Sequence, residues 1–471
     1  MKQVSTVRGI VSRPWVVPVV LLLGCFLALS YVRFHVNHAV SGDEPHYLLM
    51  DYSLVHDHDL NLKNNFQHQD YWSWYPGPLS ESQQIGASQE KTDRWYSIHG
   101  IGLPLLLLPG FLLGQQKGAA IEMLLVATLT IFLLWQWAWQ VSKDRRVAYI
   151  SSAALLICYF FNGLAGYLYP DMVIATITLA GLLVIERYYR NLWAQIGLGV
   201  LLGLLVLLHF KGIVVAGPLV LALTYKTCRN QRKLPWAVLI ALVPMAVYFL
   251  WSTLHWYGVL NPTKIYSNVN LHASPPHILS AVLFDSMRGL LVNNPLLLLV
   301  FVGLPLWFRA HRESCLMAVL VILPSVMLLT TFNLWQGGDA PIGRYSFDFV
   351  PILLPAVGMA VVRMRALYQK IIAGLLFAAT ALISLDFLLT KRPFVRSDVR
   401  SPLFTQLERH FGIAFDRLLP TFSEATTLVH RYDFIKVIAG YVLIALALIY
   451  GAYLAAEPVR VLPKPVRKTK A

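Results

Sequence analysis

Two adjacent carboxylates, Asp43 and Glu44, stand in the run SGDEPHY at positions 41–47, shortly after the first apolar segment of the chain. Carboxylates beside a long apolar segment lose favourable hydration, so they need a partner or a function there. The functional interpretation is a general base for an acceptor hydroxyl, or a metal ligand. The structural interpretation is a helix cap, in which Asp43 satisfies the first turn of a helix through Tyr47 and Leu48. The residues alone leave both interpretations open.

Isolated cations stand at the ends of several later apolar segments, and two basic residues of the first polar stretch join them. These residues are Lys211, Lys264, Arg288, Arg344, Arg94 and His99. Basic groups at a membrane surface bind phosphate well, although each alone is more often an interfacial residue with its stem along apolar surface. Together with Asp43 and Asp171 on one face, these cations predict a site for an anionic lipid beside an acidic base.

Arg344 has the most informative local sequence, because it lies in a glycine-rich stretch, QGGDAPIGRY at 336–345, that joins two apolar segments. Glycines allow the backbone to approach a ligand closely. The stretch is not a nucleotide-binding loop, since it lacks the strand-to-helix context and the lysine spacing. Arg344 and Tyr345 are therefore candidates for contact with a phosphate.

A second acidic patch follows the first, with Asp51, Asp57 and Asp59 next to His56 and His58. Two histidines with nearby aspartates can bind a metal ion, but this spacing is not diagnostic of any metal site. We interpret the patch as part of a solvated loop. The need for a metal ion, or for any cofactor, stays undecided at this level.

The composition places these residues in a membrane protein. The chain has 471 residues, of which 57% are hydrophobic and 13% charged, and its mean hydropathy is +0.58. Soluble domains carry about 25% charged residues, roughly twice this share. Apolar runs long enough to cross about 30 Å of hydrocarbon recur along the chain, and they lack the alternation of barrel strands. The predicted fold class is all-α, a polytopic membrane protein.

The formal net charge of +15 does not indicate a nucleic-acid partner. Its lysines and arginines form short clusters between apolar runs, which is the pattern of cytoplasmic loops. The four cysteines lie in or beside apolar runs or in a basic loop, so no disulfide framework is predicted.

The basic clusters also determine the predicted topology, in which both termini are cytoplasmic. The chain is expected in the inner (cell) membrane. The segment 101–114 is short and interrupted by Pro104 and Pro109, so we predict that it lies on the outer surface without crossing. About twelve transmembrane helices then remain in one domain, 1–471. They are predicted near 14–31, 119–141, 147–167, 172–186, 194–209, 212–225, 234–256, 294–308, 314–333, 347–362, 370–389 and 434–455.

Long polar loops fall on the outer side in this topology, above all the first, at 35–118 with its juxtamembrane elements, and the last, at 390–433. Such loops are where sites tend to be. Two stretches within the outer loops, beginning at Pro275-Pro276 and at Ser401-Pro402, are typical of amphipathic helices. They are predicted to lie along the outer interface or to cover the bundle.

Several of these motifs together resemble a known superfamily. The GDEPHYL run at 42–48 after a first span resembles the first external loop of the GT-C glycosyltransferases, in the branch that uses polyprenyl-phosphate sugars and includes protein O-mannosyltransferases and the lipid A aminoarabinose transferase. The run YSIHGIGLP at 96–104 resembles the surface element of that branch. Tyr169-Pro170-Asp171 resembles its second acidic position. In the surface element, His99 or Gly100 replaces the lysine of the family.

The resemblance implies a membrane glycosyltransferase that moves a sugar from a polyprenyl-phosphate donor to a hydroxyl of a lipid, protein or glycan acceptor on the extracytoplasmic face, with inversion. It marks Asp43, with Glu44 beside it, as catalytic and Asp171 as the second acid. The phosphate contact of the missing lysine would come from Lys211, Arg288 or Arg344, with His99 and Tyr345 nearby. Besides these substrates, the expected partners are membrane lipids.

A multi-pass transporter or lipid flippase is the alternative, since about twelve spans with both ends inside are common there. Such a protein should show two similar halves and ionisable groups near the centres of its spans. The sequence shows neither feature. A transfer assay in detergent distinguishes the two, because transport needs a sealed vesicle and sugar transfer does not.

Overall fold

The structure, a computed structural model, is almost entirely helical in the parts of the chain that it describes. Those parts are residues 16–36, 40, 42–81, 84–85, 93–258, 275–331, 335, 337, 343–389, 402–412, 418–422 and 433–457. One antiparallel ribbon pairs β1 (Gln84–Ile85) with β2 (Tyr96–Ser97) in the first polar loop. The structure thus confirms the predicted all-α fold class.

Most of the helices follow one another with short connections, and the longer connections precede the helices that begin at Gly102, Pro275, Val350, Pro402 and Asp433. We number them α1 (Val16–Tyr31), α2 (Glu44–His56), α3 (Lys63–His68), α4 (Gly102–Ser142), α5 (Arg145–Ile157), α6 (Tyr159–Leu164), α7 (Pro170–Leu183), α8 (Leu192–Leu208), α9 (Lys211–Gln231), α10 (Trp236–Tyr257), α11 (Pro275–Phe284), α12 (Leu290–Asn293), α13 (Leu298–Ala310), α14 (Arg312–Leu329), α15 (Val350–Arg363), α16 (Leu367–Leu389), α17 (Pro402–Phe411) and α18 (Asp433–Ala456). Short 3₁₀ turns occupy Pro295–Leu297 and Arg344–Ser346, and π-helical turns follow α1 at Val32–Val36 and α7 at Val184–Tyr188.

Among the described residues, seven helical segments are long and apolar enough to cross a membrane, and four further apolar helices are shorter. The long ones are Val19–Val36, Gly102–Ser142, Lys211–Gln231, Trp236–Tyr257, Arg312–Leu329, Leu367–Leu389 and Asp433–Ala456. The chain is therefore a multi-pass membrane protein. The predicted total of about twelve spans stays a prediction, as does the assignment of the whole chain to one domain.

The surface element predicted at 101–114 is separated from the helix that follows it. Inside α4 the backbone leaves helical geometry at Gly114 and Gln115. Gly110 and Gly118 then pack backbone to backbone, so closely that a Cβ atom on either residue would clash with the other. A straight helix holds residues eight positions apart about 12 Å from each other, so the first part of α4 folds back on the second. That the first part does not cross the membrane stays a prediction.

The prediction of one continuous helical span at 147–167 is wrong. Helix α5 ends at Ile157, Cys158 is extended (φ −74°, ψ 129°), and α6 begins at Tyr159. The Asn162 amide donates hydrogen bonds to the carbonyls of Leu156 (2.7 Å) and Cys158 (3.3 Å), on either side of this break. A polar side chain in an apolar run thus stabilises an interruption that hydropathy alone does not reveal.

Helices α11 and α17 begin at the prolines that the sequence marked as starts, Pro275 and Pro402. Proline suits a first helical turn because its missing N–H would be unpaired there in any case. Much of the predicted last external loop lies outside the described residues, namely 390–401, which includes Ser401, 413–417 and 423–432.

Candidate functional site

Asp43 immediately precedes helix α2, which begins at Glu44 with Pro45 in its first turn. Gly42 has a positive φ of 60°, which turns the chain into this helix. The Asp43 side chain makes no capping hydrogen bond. Instead it accepts one of 2.7 Å from Nη2 of Arg344, 301 positions along the chain. Asp43 occupies the N-cap position, but the interpretation of its carboxylate as the helix cap is wrong.

Asp171 lies in the first turn of α7, whose start is set by Pro170. It is fully buried, and its two carboxylate oxygens have different partners. Oδ2 accepts a hydrogen bond from Nε of Arg344 at 3.0 Å, and Oδ1 accepts one from Nζ of Lys211 at 2.6 Å. Asp171 thus holds the two cations side by side.

Lys211 opens helix α9 and also donates to Oδ2 of Asp348 at 3.1 Å. Asp348 lies in the turn between the Arg344–Ser346 3₁₀ turn and α15. Asp43, Asp171, Asp348, Lys211 and Arg344, which we call the charged cluster, thus form one connected set. Three carboxylates face two cations, so the cluster with all five groups ionised carries one net negative charge.

Aromatic rings lie against both cations of the charged cluster. The Arg344 guanidinium carbon lies 4.1 Å from the centre of the Tyr169 ring, and Nζ of Lys211 lies 4.6 Å from that of Tyr345. Ring faces attract cations without supplying a formal charge. These contacts orient Arg344 and Lys211 without using up their capacity to bind an anion.

Asp43 is the most accessible carboxylate of the charged cluster. Its side chain is 18% exposed, against 0% for Asp171 and 4% for Asp348. Burial by itself raises the pKa of Asp43, but the charge of Arg344 and the hydrogen bond from its guanidinium bring that pKa below its ordinary value. Asp43 is therefore ionised at neutral pH and reachable by a substrate.

Glu44, the other predicted catalytic acid, points away from the charged cluster. It is fully buried, and its Oε1 accepts hydrogen bonds from Nη2 of Arg33 (3.1 Å) and from the backbone N–H of Leu168 (3.0 Å). Arg33 in turn donates to the Gly166 carbonyl at 2.9 Å and stacks on the Tyr167 ring at 4.0 Å. Glu44 therefore ties the end of the first span to the segment before α7.

His99 is brought to the site by the packing of its neighbours. A Cβ atom on Gly100 would lie 2.6 Å from the Leu208 carbonyl oxygen, so the glycine lets this segment lie directly on the end of α8. The His99 ring contacts those of Tyr47 (4.8 Å between centres) and His46 (5.8 Å). Burial lowers the pKa of both histidines, that of His46 to about 3. His99 is thus neutral at neutral pH and offers hydrogen bonds rather than a charge.

The remaining predicted cations lie elsewhere or outside the described residues. Arg288 is buried beside Asp285, whose carboxylate accepts the backbone N–H groups of Met287, Arg288 and Phe422. Arg94 is exposed, and Lys264 and residues 338–342 lie outside the described part of the chain.

Sequence reasoning missed three residues of this region: Asp348, His209 and Arg33. Asp348 is an isolated acid at the start of an apolar segment, the same signal that marked Asp171, and it follows Arg344 closely. His209 ends α8, and its Nδ1 accepts the backbone N–H of Lys211 at 3.2 Å. Arg33 closely follows the first predicted span, where a flanking cation is common.

The second acidic patch divides into two parts. Asp57, His58 and Asp59 are exposed, as predicted, but Asp51 is fully buried, with neither carboxylate oxygen hydrogen-bonded in the described structure. Burial, with the nearby charge of Glu122, raises the pKa of Asp51 to about 9. The prediction of a solvated Asp51 is therefore wrong. Among the described residues, no group of three or more histidine, cysteine or acidic side chains is placed to hold a metal ion.

No protein-family model matches the sequence, and no curated protein matches it in sequence. The structure does have relatives. ArnT from Cupriavidus metallidurans, in a crystal structure bound to undecaprenyl phosphate, aligns with a TM-score of 0.55 over 93% of this chain and 76% of ArnT, at 15% identity. The chain has the GT-C fold. An oligosaccharyltransferase from Archaeoglobus fulgidus, tethered to an acceptor peptide, aligns with a TM-score of 0.48 over 86% of this chain and 58% of its own, at 12% identity.

The elements of the site come from distant parts of the chain. The charged cluster draws one residue from the start of the first polar loop, two from the beginnings of α7 and α9, and two from the turn before α15. All five lie at or just outside helix ends. Helix ends that meet on one side of a bundle can place polar groups beside the membrane without burying them in its hydrocarbon.

Proposed function

We propose that this protein is a membrane glycosyltransferase that transfers a sugar from a polyprenyl-phosphate donor to an acceptor hydroxyl, with Asp43 as the general base. The observation that carries the proposal is the hydrogen bond between Asp43 and Arg344, within a cluster that also holds Lys211. An accessible base and two buried cations at helix ends suit a reaction whose leaving group is a lipid phosphate. The GT-C fold, shared with a protein solved with undecaprenyl phosphate, supports it.

The reaction would proceed by direct displacement at the anomeric carbon. The acceptor oxygen forms a bond to that carbon as Asp43 takes its proton, and the bond from the carbon to the phosphate oxygen breaks. Its electron pair leaves with the polyprenyl phosphate, whose charge rises from one negative unit to two. Attack on the face opposite the leaving group inverts the anomeric centre. No nucleotide takes part.

Arg344 and Lys211 are the groups we propose for the phosphate. The developing charge lies on phosphate oxygens, and a guanidinium beside an ammonium stabilises it more in the product-like transition state than in the bound donor. Carboxylates already neutralise both cations. The donor phosphate must therefore compete with Asp43 for Arg344, and its success would leave Asp43 a stronger base. Glu44 has a structural role in this mechanism, and Asp171 holds the cations.

The active site would face away from the cytoplasm, because the predicted topology puts the basic loops inside. Arg145 and Cys228 are exposed in loops predicted to be cytoplasmic, whereas Asp93 is exposed in the first external loop. In a Cys228→Ser background, a cysteine placed at Arg145 should resist an impermeant thiol reagent in intact cells, and one at Asp93 should react. Ready labelling at Arg145 would overturn the topology.

The test of the proposed activity is sugar transfer by the purified protein in detergent. We expect a radiolabelled sugar to move from a synthetic prenyl-phosphate donor to an extract of the host's cell envelope, and whether the product is lipid, protein or glycan identifies the acceptor class. Transfer without a sealed vesicle excludes a transporter or flippase as the explanation. Binding of donor without transfer to any envelope fraction would count against the enzyme.

A further inference from the structure

One buried carboxylate oxygen of the charged cluster receives no hydrogen bond within the described part of the chain. Asp348 is 4% exposed, and its Oδ2 accepts the hydrogen bond from Lys211. Its Oδ1 is buried and receives no hydrogen bond from the residues that the structure describes. A buried polar atom without a partner is unfavourable and rare in native structures, so such an atom calls for an explanation.

A small cavity adjoins this carboxylate. The charged cluster provides one wall, through Lys211, Tyr345 and Asp348, and the last turns of α14 provide the other, through Ser325, Leu328 and Leu329. The space accommodates about one water molecule, which is also the size of a single hydroxyl group. We call this space the notch.

The chemistry of the notch restricts what can fill it. Burial raises the pKa of Asp348 to about 7, so the carboxylate is ionised above that pH, and binding is best measured at about pH 8. An ionised carboxylate oxygen only accepts hydrogen bonds, so its partner must be a donor. A prenyl chain has no hydrogen-bond donor, and neither has a phosphodiester. Of the parts of a lipid-phosphate sugar, only the sugar carries hydroxyl groups, and the acceptor carries others.

We infer that Asp348 is a specificity-determining residue that binds a substrate hydroxyl group in the notch, through its Oδ1. The inference rests on the proposed function and extends it to how the sugar is chosen. A site that hydrogen-bonds one hydroxyl discriminates strongly against an analogue that lacks it, because its own buried atom is then left unpaired. Asp348 would in this way select among donors that share the same lipid phosphate.

The decisive measurement compares two ligands on two proteins without any acceptor present. One ligand is methyl farnesyl phosphate, a phosphodiester without a hydroxyl group, and the other is farnesyl phosphate carrying the sugar that the wild-type protein transfers. The wild-type protein should bind the ligand with the sugar more tightly than the ligand without it. Asp348→Ala should lower this ratio of affinities roughly 10- to 100-fold. Because both ligands are phosphodiesters with one negative charge, the ratio of the two affinities cancels the effect of the lost carboxylate charge on phosphate binding. Lys211 keeps Asp171 as its partner in this variant, so no cation is stranded.

The control is Glu186→Ala, which removes a carboxylate from another lysine, Lys226, at 2.6 Å; it should leave the affinity ratio unchanged. If Asp348→Ala spares the ratio but raises the acceptor KM at least tenfold, the hydroxyl belongs to the acceptor. If neither changes, the notch holds only water and the inference is overturned. Failure of the wild-type protein to bind farnesyl phosphate or to transfer sugar would instead refute the proposed function.

Discussion

Replacing Asp43 by asparagine is expected to lower the turnover number roughly 10²–10⁴-fold, the usual contribution of a general base. An acceptor hydroxyl does not ionise near neutral pH, so the transition state needs a proton acceptor within reach. Asp43 is the most accessible carboxylate of the charged cluster and lies 2.7 Å from a cation proposed to hold the phosphate. Asparagine preserves the shape of the side chain and its bond to Arg344 but cannot take the proton. Initial rates in detergent measure the effect.

The same substitution should have the opposite effect on phosphate binding. Wild-type protein sets three carboxylates against two cations, and Asp43→Asn brings this balance to zero. Removing a negative charge that lies several ångströms from the bound phosphate should strengthen phosphate binding by on the order of 1 kcal/mol or more. Farnesyl phosphate should therefore bind the variant several-fold more tightly while turnover collapses. A misfolded variant would lose both, so this pairing separates loss of chemistry from loss of structure.

Glu44→Gln is the matched control for this prediction. Glu44 is adjacent in sequence, but its carboxylate neutralises the buried Arg33. The substitution should lower the melting temperature and the yield of folded protein, while the folded fraction retains most of its turnover number. If Glu44→Gln abolished transfer in folded protein and Asp43→Asn spared it, the base would be Glu44. If neither mattered, Asp171 would be the next carboxylate to test.

The helices that frame the site followed from the sequence because a membrane span must be apolar along its whole length. The predicted spans at 194–209, 234–256 and 434–455 differ by only a few residues from α8, α10 and α18. Hydropathy failed where a polar side chain acts locally, as at Asn162, which stabilises the break after α5. Hydropathy also does not reveal a backbone reversal such as the one at Gly114 and Gln115, because both parts of α4 are apolar.

The composition of the site was predictable only in part. Asp43, Asp171, Lys211 and Arg344 stood out as charges at the ends of apolar segments, and the structure brings all four together. Their pairing could not be foreseen, because Arg344 lies 301 positions from Asp43 and 173 from Asp171. For the same reason, the residues alone kept Glu44 as a second candidate beside Asp43, although the resemblance favoured Asp43. Only the partner, Arg33 or Arg344, distinguishes a structural carboxylate from a candidate base.

Arg344→Ala is expected to lower the free energy of unfolding by about 3–5 kcal/mol, the usual cost of breaking a buried ion pair from one side. Arg344 neutralises Asp43 and shares Asp171 with Lys211. Its removal leaves three carboxylates facing one lysine. A loss of activity in this variant would therefore not by itself show that Arg344 binds the donor.

A double-mutant cycle tests the structural part of this prediction. Asp43→Asn removes the carboxylate that Arg344→Ala would strand, so the arginine substitution should cost less in the asparagine background. Coupling energies between contacting residues run to about 0.5–3 kcal/mol, and we expect a value in this range from melting temperatures in detergent. Equal costs in both backgrounds would mean that Arg344 does not act on stability through Asp43.

Arg344→Lys tests the functional part, because it keeps the charge and removes the planar guanidinium. A lysine ammonium cannot reproduce paired bonds to two phosphate oxygens, and the loss of one charged hydrogen bond is worth about 1.5–3 kcal/mol. The affinity for farnesyl phosphate should therefore fall at least tenfold, and the stability should fall less than in the alanine variant. An unchanged donor KM and turnover number in Arg344→Lys would rule out paired bonds from Arg344 to the donor. Lys211, which already lies 2.6 Å from Asp171, would then be the first alternative, followed by Arg288.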